Sequence, residues 1–403
     1  MTAADIAAAR TRLAATVAAT PCAYSETLSD MTGARVFVKL ENLQITGSFK
    51  ERGAANLLLQ LGPAERRRGV IAASAGNHGL AVARHAARLG IAAVVVMPEA
   101  APLGKVTAAR RHGADVILDG ENYDAAYARA KEIEAERDLI FVHPFDDPRV
   151  IAGQGTIGLE LLEQVPGLDA VVVPVGGGGL IGGIALAVKT ERPSVRVIGV
   201  QAEEMPSMRA ALAAGERVTV PPATTIADGI AVRRAGEHTF DLARRHVDLV
   251  VSVDEEEIAN AILLLLEIEK TVAEGAGAVA LAALVNRRVA LNGKTVALVL
   301  SGGNIDVNLI ARIIERGLVK DGRLVRLTVT LRDRPGALAQ LTSQVAQARA
   351  NVLHIHHDRA FSRTRVGETD VELTLETSGR DQVEAITRLL RQSGYAVEEV
   401  TPR

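Results

Sequence analysis

Apolar residues in the first 300 positions form short unbroken runs, and alanine-rich stretches with helical spacing separate them. Strands that are covered on both faces read as continuous apolar runs, so these runs predict buried parallel strands. Helices between parallel strands indicate an α/β protein with doubly wound sheets. The eight predicted strands span residues 35–41, 69–74, 92–98, 114–120, 169–176, 195–201, 248–253 and 295–303.

The pattern changes after about residue 318. Residues 325–332 alternate, with valines and leucines on one face and arginines and threonines on the other. This alternation is typical of a strand with one face in solvent. A helix follows, then strands near 351–357 and 371–375, a second helix, and a last strand near 395–400. The order βαββαβ predicts a separate α+β domain of the ferredoxin-like type.

Composition narrows the possible functions. The 403 residues are 48% hydrophobic and 23% charged, which is typical of a globular protein with two or three domains. A net charge of −2, 2% aromatic residues and no Trp argue against nucleic-acid and anionic-membrane partners. No apolar run is long enough to span a bilayer, and the N-terminal segment lacks the pattern of a signal peptide. The one cysteine, Cys22, cannot form an internal disulfide and is expected to be structural, so we predict a cytoplasmic protein.

Four glycine-rich segments follow predicted strands, at residues 74–79, 175–183, 274–278 and 301–304. In open α/β sheets, ligands bind beyond the carboxyl ends of the strands. Several such segments therefore predict one cofactor that is held from several strands. The segment at 175–183 leads into a predicted helix, and a helix N-terminus after a glycine loop binds phosphate.

The same segment permits a second interpretation. Gly177, Gly179 and Gly182 form the pattern G-x-G-x-x-G. The predicted strand at 195–201 leads to Glu203, about where NAD-dependent dehydrogenases place a ribose-binding acid. This alternative predicts nicotinamide binding and no chromophore bound to a lysine, but it does not require the other three glycine segments.

One lysine lies where a helix is predicted to begin, in the segment "TGSFKERGAAN". A helix N-terminus is electropositive, so it should lower the pKa of Lys50. A neutral amine is what Schiff-base chemistry requires. The pattern alone is more typical of a solvent-exposed helix lysine.

Seven motifs bring these features together: "GSFKERGA", "SAGNHG", "AGQGTIGLE", "VGGGGL", "TIADGIAV", "EGAGA" and "SGGN". Their order and spacing over residues 15–318 resemble the fold type II (tryptophan synthase β-like) pyridoxal-phosphate enzymes, in particular the threonine ammonia-lyase and serine dehydratase group. The C-terminal βαββαβ segment, with "RDRPGAL" at its first turn, resembles an ACT domain. The resemblance implies a large cofactor-binding domain at 1–47 and 151–318, a small mobile α/β domain at 48–150, a linker at 319–324 and an ACT-like regulatory domain at 325–403.

The resemblance also assigns roles to motif residues. Lys50 would hold pyridoxal phosphate through a Schiff base and then remove the α-proton of the substrate. Ser301 would face the pyridine nitrogen and leave it unprotonated. Asn77 would bind the 3′-oxygen of the cofactor. The phosphate and ring would lie against Phe49, Gly176, Gly177, Gly178, Gly179 and Leu180, and the substrate carboxylate against Ser74, Ala75, Gly76, Asn77 and His78.

Less specific roles follow for other residues near these motifs. Glu274 would lie near the ring or brace its loop, and both interpretations remain open. Asp228 and Gly229 would border the site. His78 is expected to contribute its backbone, while its side chain packs or makes a structural hydrogen bond.

Racemisation and metal binding are not expected. Serine racemases of this fold have a second serine where this chain has Ala75, so elimination should dominate. Relatives that bind a divalent cation use a glutamate, a carbonyl and an acid, whereas Glu203 is followed here by Ser207 and Arg209. The run "HIHH" at 354–357 is expected to be a strand with an exposed face and one buried residue.

The implied reaction is dehydration and deamination of L-threonine to 2-oxobutanoate and ammonia, with weaker activity on L-serine. An L-serine or hydroxyaspartate dehydratase of the same fold is the alternative. Other classes are an NAD-dependent dehydrogenase and a non-catalytic amino-acid sensor. The ACT-like domain implies a homo-oligomer, either a dimer or a tetramer. It also implies allosteric feedback in isoleucine biosynthesis, with isoleucine or valine bound near Gly336. A role of this domain in assembly alone is the alternative.

Overall fold

The apolar runs of the first unit form two sheets in a computed structural model, which describes residues 1–74, 76–359 and 364–400. By contacts the chain divides into the units Met1–Ile305 and Asp306–Arg403. Ala75 lies outside the described residues. The strands of the first unit are β1 (Cys22–Ser25), β2 (Arg35–Leu40), β3 (Val70–Ala73), β4 (Ala93–Met97), β5 (Asp115–Leu118), β6 (Ile140–Phe141), β7 (Ala170–Pro174), β8 (Arg196–Ala202), β9 (Leu249–Val253) and β10 (Thr295–Leu300).

The larger sheet has the strand order β1-β2-β10-β7-β8-β9, and the smaller one has the order β5-β4-β3-β6. All the pairs are parallel except β1 with β2. The predicted α/β class and the eight predicted strands are confirmed. Strands β1 and β6 were not predicted: β1 is a partly exposed edge strand without an apolar run, and β6 has only two residues, too few to show a hydrophobic period.

Helices cover both sheets, so the middle strands are buried on both faces; every residue of β4 and β7 is buried. Cys22, on the edge strand β1, packs partly buried against the core, and burial raises the pKa of its thiol to about 12. The helices of this unit are α1 (Ala3–Leu13), α2 (Glu26–Thr32), α3 (Lys50–Leu59), α4 (Pro63–Arg68), α5 (Asn77–Arg88), α6 (Leu103–Arg111), α7 (Tyr123–Arg137), α8 (Pro148–Gln164), α9 (Gly179–Glu191), α10 (Ser207–Ala214), α11 (Glu237–His246), α12 (Glu255–Glu267) and α13 (Gly275–Val285).

The motif "AGQGTIGLE" on α8 allows three helices to approach closely. A Cβ atom on Gly153 would lie 2.5 Å from the carbonyl oxygen of Arg52 on α3. A Cβ atom on Gly183 of α9 would lie 2.5 Å from the carbonyl oxygen of Ile151 on α8. These distances are below van der Waals contact, so the glycines of this motif serve helix packing.

The second unit contains the predicted βαββαβ order. Its sheet is antiparallel, with alternate residues of the first strand buried against two helices. Its elements are α14 (Val307–Lys320), β11 (Leu324–Arg332), α15 (Ala337–Gln347), β12 (Asn351–Asp358), β13 (Glu368–Glu376), α16 (Arg380–Gln392) and β14 (Ala396–Glu399). The domain boundaries predicted from the sequence stay a prediction.

One detail of the second unit differs from the prediction. His354, His356 and His357 are all exposed, so the expected buried residue of the "HIHH" run is absent from these three. The reason is that β12 forms the edge of the sheet, and its register with β13 shifts between Val352 and His354. None of the helices in the described ranges is both long enough and apolar enough to cross a membrane.

A buried network of charges joins α3 to β2 and α8. Arg52 is 2% exposed and donates to both carboxylate oxygens of Glu41 at 2.8 Å. It also donates to Glu160 at 2.5 and 2.9 Å, and Lys39 donates to the same carboxylate at 2.5 Å. Burial raises the pKa of Glu41, but the charge and hydrogen bonds of Arg52 outweigh it and hold that pKa below its usual value. The network thus fixes α3 between two other elements.

Replacing Arg52 by Met should destabilise the protein by roughly 3–5 kcal/mol, because the buried Glu41 carboxylate loses the guanidinium that binds it and Glu160 is left with Lys39. The exposed pair of Arg10 with Glu163 joins α1 to α8 and provides a matched control, since Arg10→Met should cost less than about 1 kcal/mol. Urea denaturation of both variants measures the free energy of unfolding. Equal losses in the two variants would contradict the assigned role of the network.

Candidate active site

A cavity of about 320 Å³ opens at the carboxyl ends of strands from both sheets of the first unit. It brings together the four glycine-rich segments and the lysine that the sequence analysis singled out. The sequence-predicted residues that line it are Phe49, Lys50, Ser74, Gly76, Asn77, His78, Gly176, Gly177, Gly178, Gly179, Leu180, Asp228, Gly229, Glu274 and Ser301.

Lys50 is the first residue of α3, and its side chain points into this cavity. Its Nζ donates to the carbonyl oxygen of Pro144 at 2.7 Å. Burial lowers the pKa of Lys50 to about 8, against the opposing effect of the Glu274 charge. The pKa is lowered, as predicted, but the main cause is desolvation by the surrounding protein and not the helix N-terminus. The backbone N–H of Phe49 donates to the carbonyl oxygen of Ser301 at 3.0 Å, which ties Lys50 to the end of β10.

Asn77 lies in a chain of hydrogen bonds at the start of α5. Its Nδ2 donates to Glu274 Oε1 at 2.7 Å, and its Oδ1 accepts from Asn304 Nδ2 at 2.7 Å. Asn304 also donates to the carbonyl oxygen of Thr46 at 2.6 Å, four residues before Lys50. The amide of Asn77 is therefore held in one orientation, and the second hydrogen of Nδ2 remains for a ligand.

Glu274 is 5% exposed and is the residue before α13. Burial raises the pKa of Glu274 to about 7, and the hydrogen bond from Asn77 opposes this shift. Its backbone N–H donates to the carbonyl oxygen of Gly302 at 3.1 Å. Glu274 thus lines the cavity and braces its loop, whereas its position beside the cofactor ring stays a prediction.

Backbone conformation and close contacts explain why the loop at 175–183 is rich in glycine. Gly178 adopts φ +97°, and a Cβ atom there would lie 2.6 Å from Met208 Cε. A Cβ atom on Gly177 would overlap the Phe145 ring, and one on Gly179 would lie 2.8 Å from the Phe145 carbonyl oxygen. Because α9 begins at Gly179, the free N–H groups of its first turn face the cavity.

The remaining predicted residues that line the cavity include Ser74, Ser301 and His78. Ser74 Oγ accepts from the backbone N–H of Gly76 at 3.1 Å, and Ser301 is 1% exposed with its Oγ 3.5 Å from the carbonyl oxygen of Ala276. His78 Nε2 donates to the carbonyl oxygen of Val142 at 2.7 Å, and burial lowers its pKa to about 3. The imidazole of His78 is therefore neutral and held structurally.

Sequence reasoning missed several lining residues. Pro144 and Phe145 follow the two-residue strand β6, which has no detectable period. Lys105 and Tyr123 lie in the first turns of α6 and α7, directly after β4 and β5. The rule that ligands bind beyond the carboxyl ends of strands could have indicated Lys105 and Tyr123, because β4 and β5 were predicted from the sequence. Asn304 was quoted within "SGGN" without a role, and its contacts only become evident in three dimensions.

Residues of the rejected or doubtful sites lie elsewhere. Glu203, which a dehydrogenase would use for ribose, is not among the residues that line the cavity in the described parts of the chain. The backbone N–H of Arg209 donates to Gln201 Oε1 at 2.9 Å, and its guanidinium donates to Ser252 Oγ at 3.3 Å. Within residues 1–74, 76–359 and 364–400, no group of three His, Cys, Asp or Glu side chains could hold a metal ion.

Residues 13–302 match the protein family described as pyridoxal-phosphate dependent enzyme. The chain belongs to this family. It is 52% identical to the L-threonine ammonia-lyase of Thermotoga maritima over 98% of each chain. The processed form of threonine deaminase isoform 2 from Solanum lycopersicum is 37% identical, with a TM-score of 0.73 over 77% of this chain and 91% of its own. Maize serine racemase is 34% identical, with a TM-score of 0.74 over 79% of this chain and 98% of its own.

These similarities confirm the predicted family, fold type and cofactor. The cavity fits pyridoxal phosphate in both charge and space. The N-terminus of α9 supplies N–H groups for a phosphate, and Lys50 supplies an amine with a lowered pKa. A Cβ atom on Gly76 would meet nothing within 4 Å, so space remains beside Asn77. The dehydrogenase alternative has no observation in its favour.

Glu274 should make stability depend on pH. The usual pKa of this carboxyl is 4.5, whereas burial raises it to about 7. Between these values the folded protein holds a proton that the unfolded chain releases, so stability falls as pH rises through this window and is constant above it. In the cofactor-free protein, Glu274→Gln should remove this slope, as measured by urea denaturation at several pH values.

The exposed Glu216 provides the control, because Glu216→Gln should leave the slope unchanged. A Glu274→Gln protein that still loses stability between about pH 4.5 and pH 7, as the parent does, would show that another group is responsible.

Proposed function

We propose that this chain is a lyase that deaminates L-threonine to 2-oxobutanoate and ammonia, with weaker activity on L-serine. Water is lost from the substrate in the elimination, and a water molecule is taken up again when ammonia is released. The observation that carries the proposal is its similarity, over nearly the whole chain, to the Thermotoga maritima L-threonine ammonia-lyase. The placement of Lys50 in the cavity supports it, because the reaction requires an amine at the cofactor.

Pyridoxal phosphate, when bound, draws electrons from the α-carbon of an amino acid and so acidifies the α-proton. Lys50 holds the cofactor and accepts this proton, and a pKa of about 8 makes its amine able to take up and return a proton near neutral pH. The N–H groups of the glycine loop bind the phosphate. The Asn77 amide, fixed by Glu274 and Asn304, orients the ring.

Other residues bind the substrate and the far side of the cofactor. Ser74 and the backbone around Gly76 lie at the start of α5, where free N–H groups attract the substrate carboxylate. The buried hydroxyl of Ser301 would face the pyridine nitrogen of the cofactor, and a neutral group there would leave that nitrogen unprotonated and favour loss of the β-hydroxyl.

Replacing Lys50 by Ala should abolish both the visible absorbance of the bound cofactor and the deamination of threonine, because both depend on the same amine. Lys294 is exposed and lies outside the cavity, so Lys294→Ala should retain both properties. An absorbance scan and a 2-oxo-acid assay measure the two effects. Full turnover by the Lys50→Ala protein would contradict the proposal.

L-serine remains an alternative main substrate, and hydroxyaspartate is a further one. The solved structures similar to this chain include maize serine racemase. Comparing kcat/KM for L-threonine, L-serine and D-serine separates a threonine enzyme from a serine enzyme.

We also propose that the second unit is an ACT-like domain that binds isoleucine or valine and regulates the enzyme, and that the chain forms a homo-oligomer. The support is its ferredoxin-like topology and the turn after β11. There Gly336 adopts φ +85°, and a Cβ atom would meet nothing within 4 Å. A dimer or tetramer, a role in isoleucine biosynthesis and a cytoplasmic location stay predictions.

Isoleucine or valine should change the initial rate, and Gly336→Ala should shift the effector concentration at half-maximal effect by about fivefold or more. Gly367 provides a matched control, because it also has a positive φ (+92°) and open space around it, in another turn of the same unit. Rates measured against increasing effector test both variants. If neither amino acid alters the rate of the parent protein, the unit serves assembly only.

A further inference from the structure

Few cationic side chains line the cavity. In the part of the chain that the structure describes, Lys50 and Lys105 are the lysines of its wall, and no arginine lines it. Lys50 is assigned to the cofactor. A second carboxylate on a substrate would therefore depend on Lys105 for a countercharge.

Lys105 already has a partner. Its Nζ donates to Asp228 Oδ2 at 2.9 Å. Lys105 lies on α6, which packs on the smaller sheet, whereas Asp228 begins a short 3₁₀ helix, Asp228–Ile230, that packs near α13 of the larger sheet. A Cβ atom on the neighbouring Gly229 would lie 3.5 Å from Glu274 Oε1, so the segment that carries Asp228 lies beside Glu274 in the cavity wall.

We propose that Asp228 is a specificity-determining residue, which occupies Lys105 and thereby excludes amino acids with a second carboxylate, such as 3-hydroxyaspartate. The Lys105 side chain is 26% and the Asp228 side chain 62% exposed, so such a carboxylate would lose only part of its hydration there, but it would face Asp228 and Glu274 without a free cation. Neutral hydroxy amino acids need no countercharge and are accepted. The inference rests on the proposed function, because it names the class of substrate that the same site takes.

The ion pair of Asp124 with Arg233 provides a control. It distinguishes a role of Asp228 in substrate specificity from a role in holding the two sides of the cavity together. Arg233 donates to Asp124 Oδ2 at 2.7 Å and joins the N-terminal turn of α7 to the segment that follows the 3₁₀ helix. Neither residue is among those that line the cavity in the described ranges. Removing this pair loosens the same two walls without freeing a cation inside the cavity.

The test compares Asp228→Asn with Asp124→Asn in the complete enzyme with its cofactor. In Asp228→Asn, the ratio of kcat/KM for 3-hydroxyaspartate to that for L-threonine should rise by about tenfold or more, since a charge-assisted hydrogen bond becomes available. The ratio should stay within about twofold of the parent value in Asp124→Asn. In the double variant Asp228→Asn with Lys105→Met, the gain should disappear, because the freed cation is gone.

L-aspartate has no β-hydroxyl to eliminate and serves as a binding probe. Its dissociation constant, read from the change in cofactor absorbance, should fall by about tenfold in Asp228→Asn. This measurement of binding does not depend on turnover. A parent enzyme without threonine activity would refute the proposed function. An unchanged dissociation constant for L-aspartate in Asp228→Asn would refute the role of Asp228. An equal rise of the ratio in Asp124→Asn would also refute it. Asp228→Ala serves as the second variant if Asp228→Asn fails to fold.

Discussion

The position of the reactive lysine depends on a buried ion network two residues further along the same helix. Arg52 forms hydrogen bonds to Glu41 at the end of β2 and to Glu160 on α8, and all three side chains are buried. A buried arginine with both carboxylates satisfied permits few geometries, because any shift would leave a charge unpaired. Helix α3 is thereby fixed, and the amine of Lys50 at its first turn is held against the cavity.

Glycine provides the close approach that this arrangement requires. Gly153 and Gly183 bring α8 against α3 and α9, and the glycine loop admits Phe145 where a side chain would otherwise lie. The same loop leaves the first N–H groups of α9 free for an anion. Close packing and phosphate binding therefore both require glycine at neighbouring positions. A glycine-rich motif by itself does not show which of these two roles a given glycine has.

Among the residues that the structure describes, the cavity contains two lysines, Lys50 and Lys105, and two acidic residues, Glu274 and Asp228. Lys50 and Glu274 are both desolvated, which lowers the pKa of the lysine and raises that of the glutamate towards a common range. Asn77 and Asn304 connect Glu274 to the backbone of Thr46, close to Lys50. Lys105 and Asp228 neutralise each other at the wall. The proposed preference for a small neutral amino acid beside an anionic cofactor depends on these pairs.

The sequence by itself determined the α/β class, the order of the buried strands, the βαββαβ unit and the family, because hydrophobic periods and short motifs are local properties of the chain. It did not predict β1, which is a partly exposed edge strand without an apolar run, or the two-residue β6 and thus Pro144 and Phe145 that follow it. Only the tertiary structure decided that burial lowers the pKa of Lys50, that Glu274 bonds to Asn77, and that Lys105 meets Asp228. The two hydrogen bonds join residues that lie 197 and 123 positions apart, and the pKa depends on enclosure by several elements, so no local pattern encodes them.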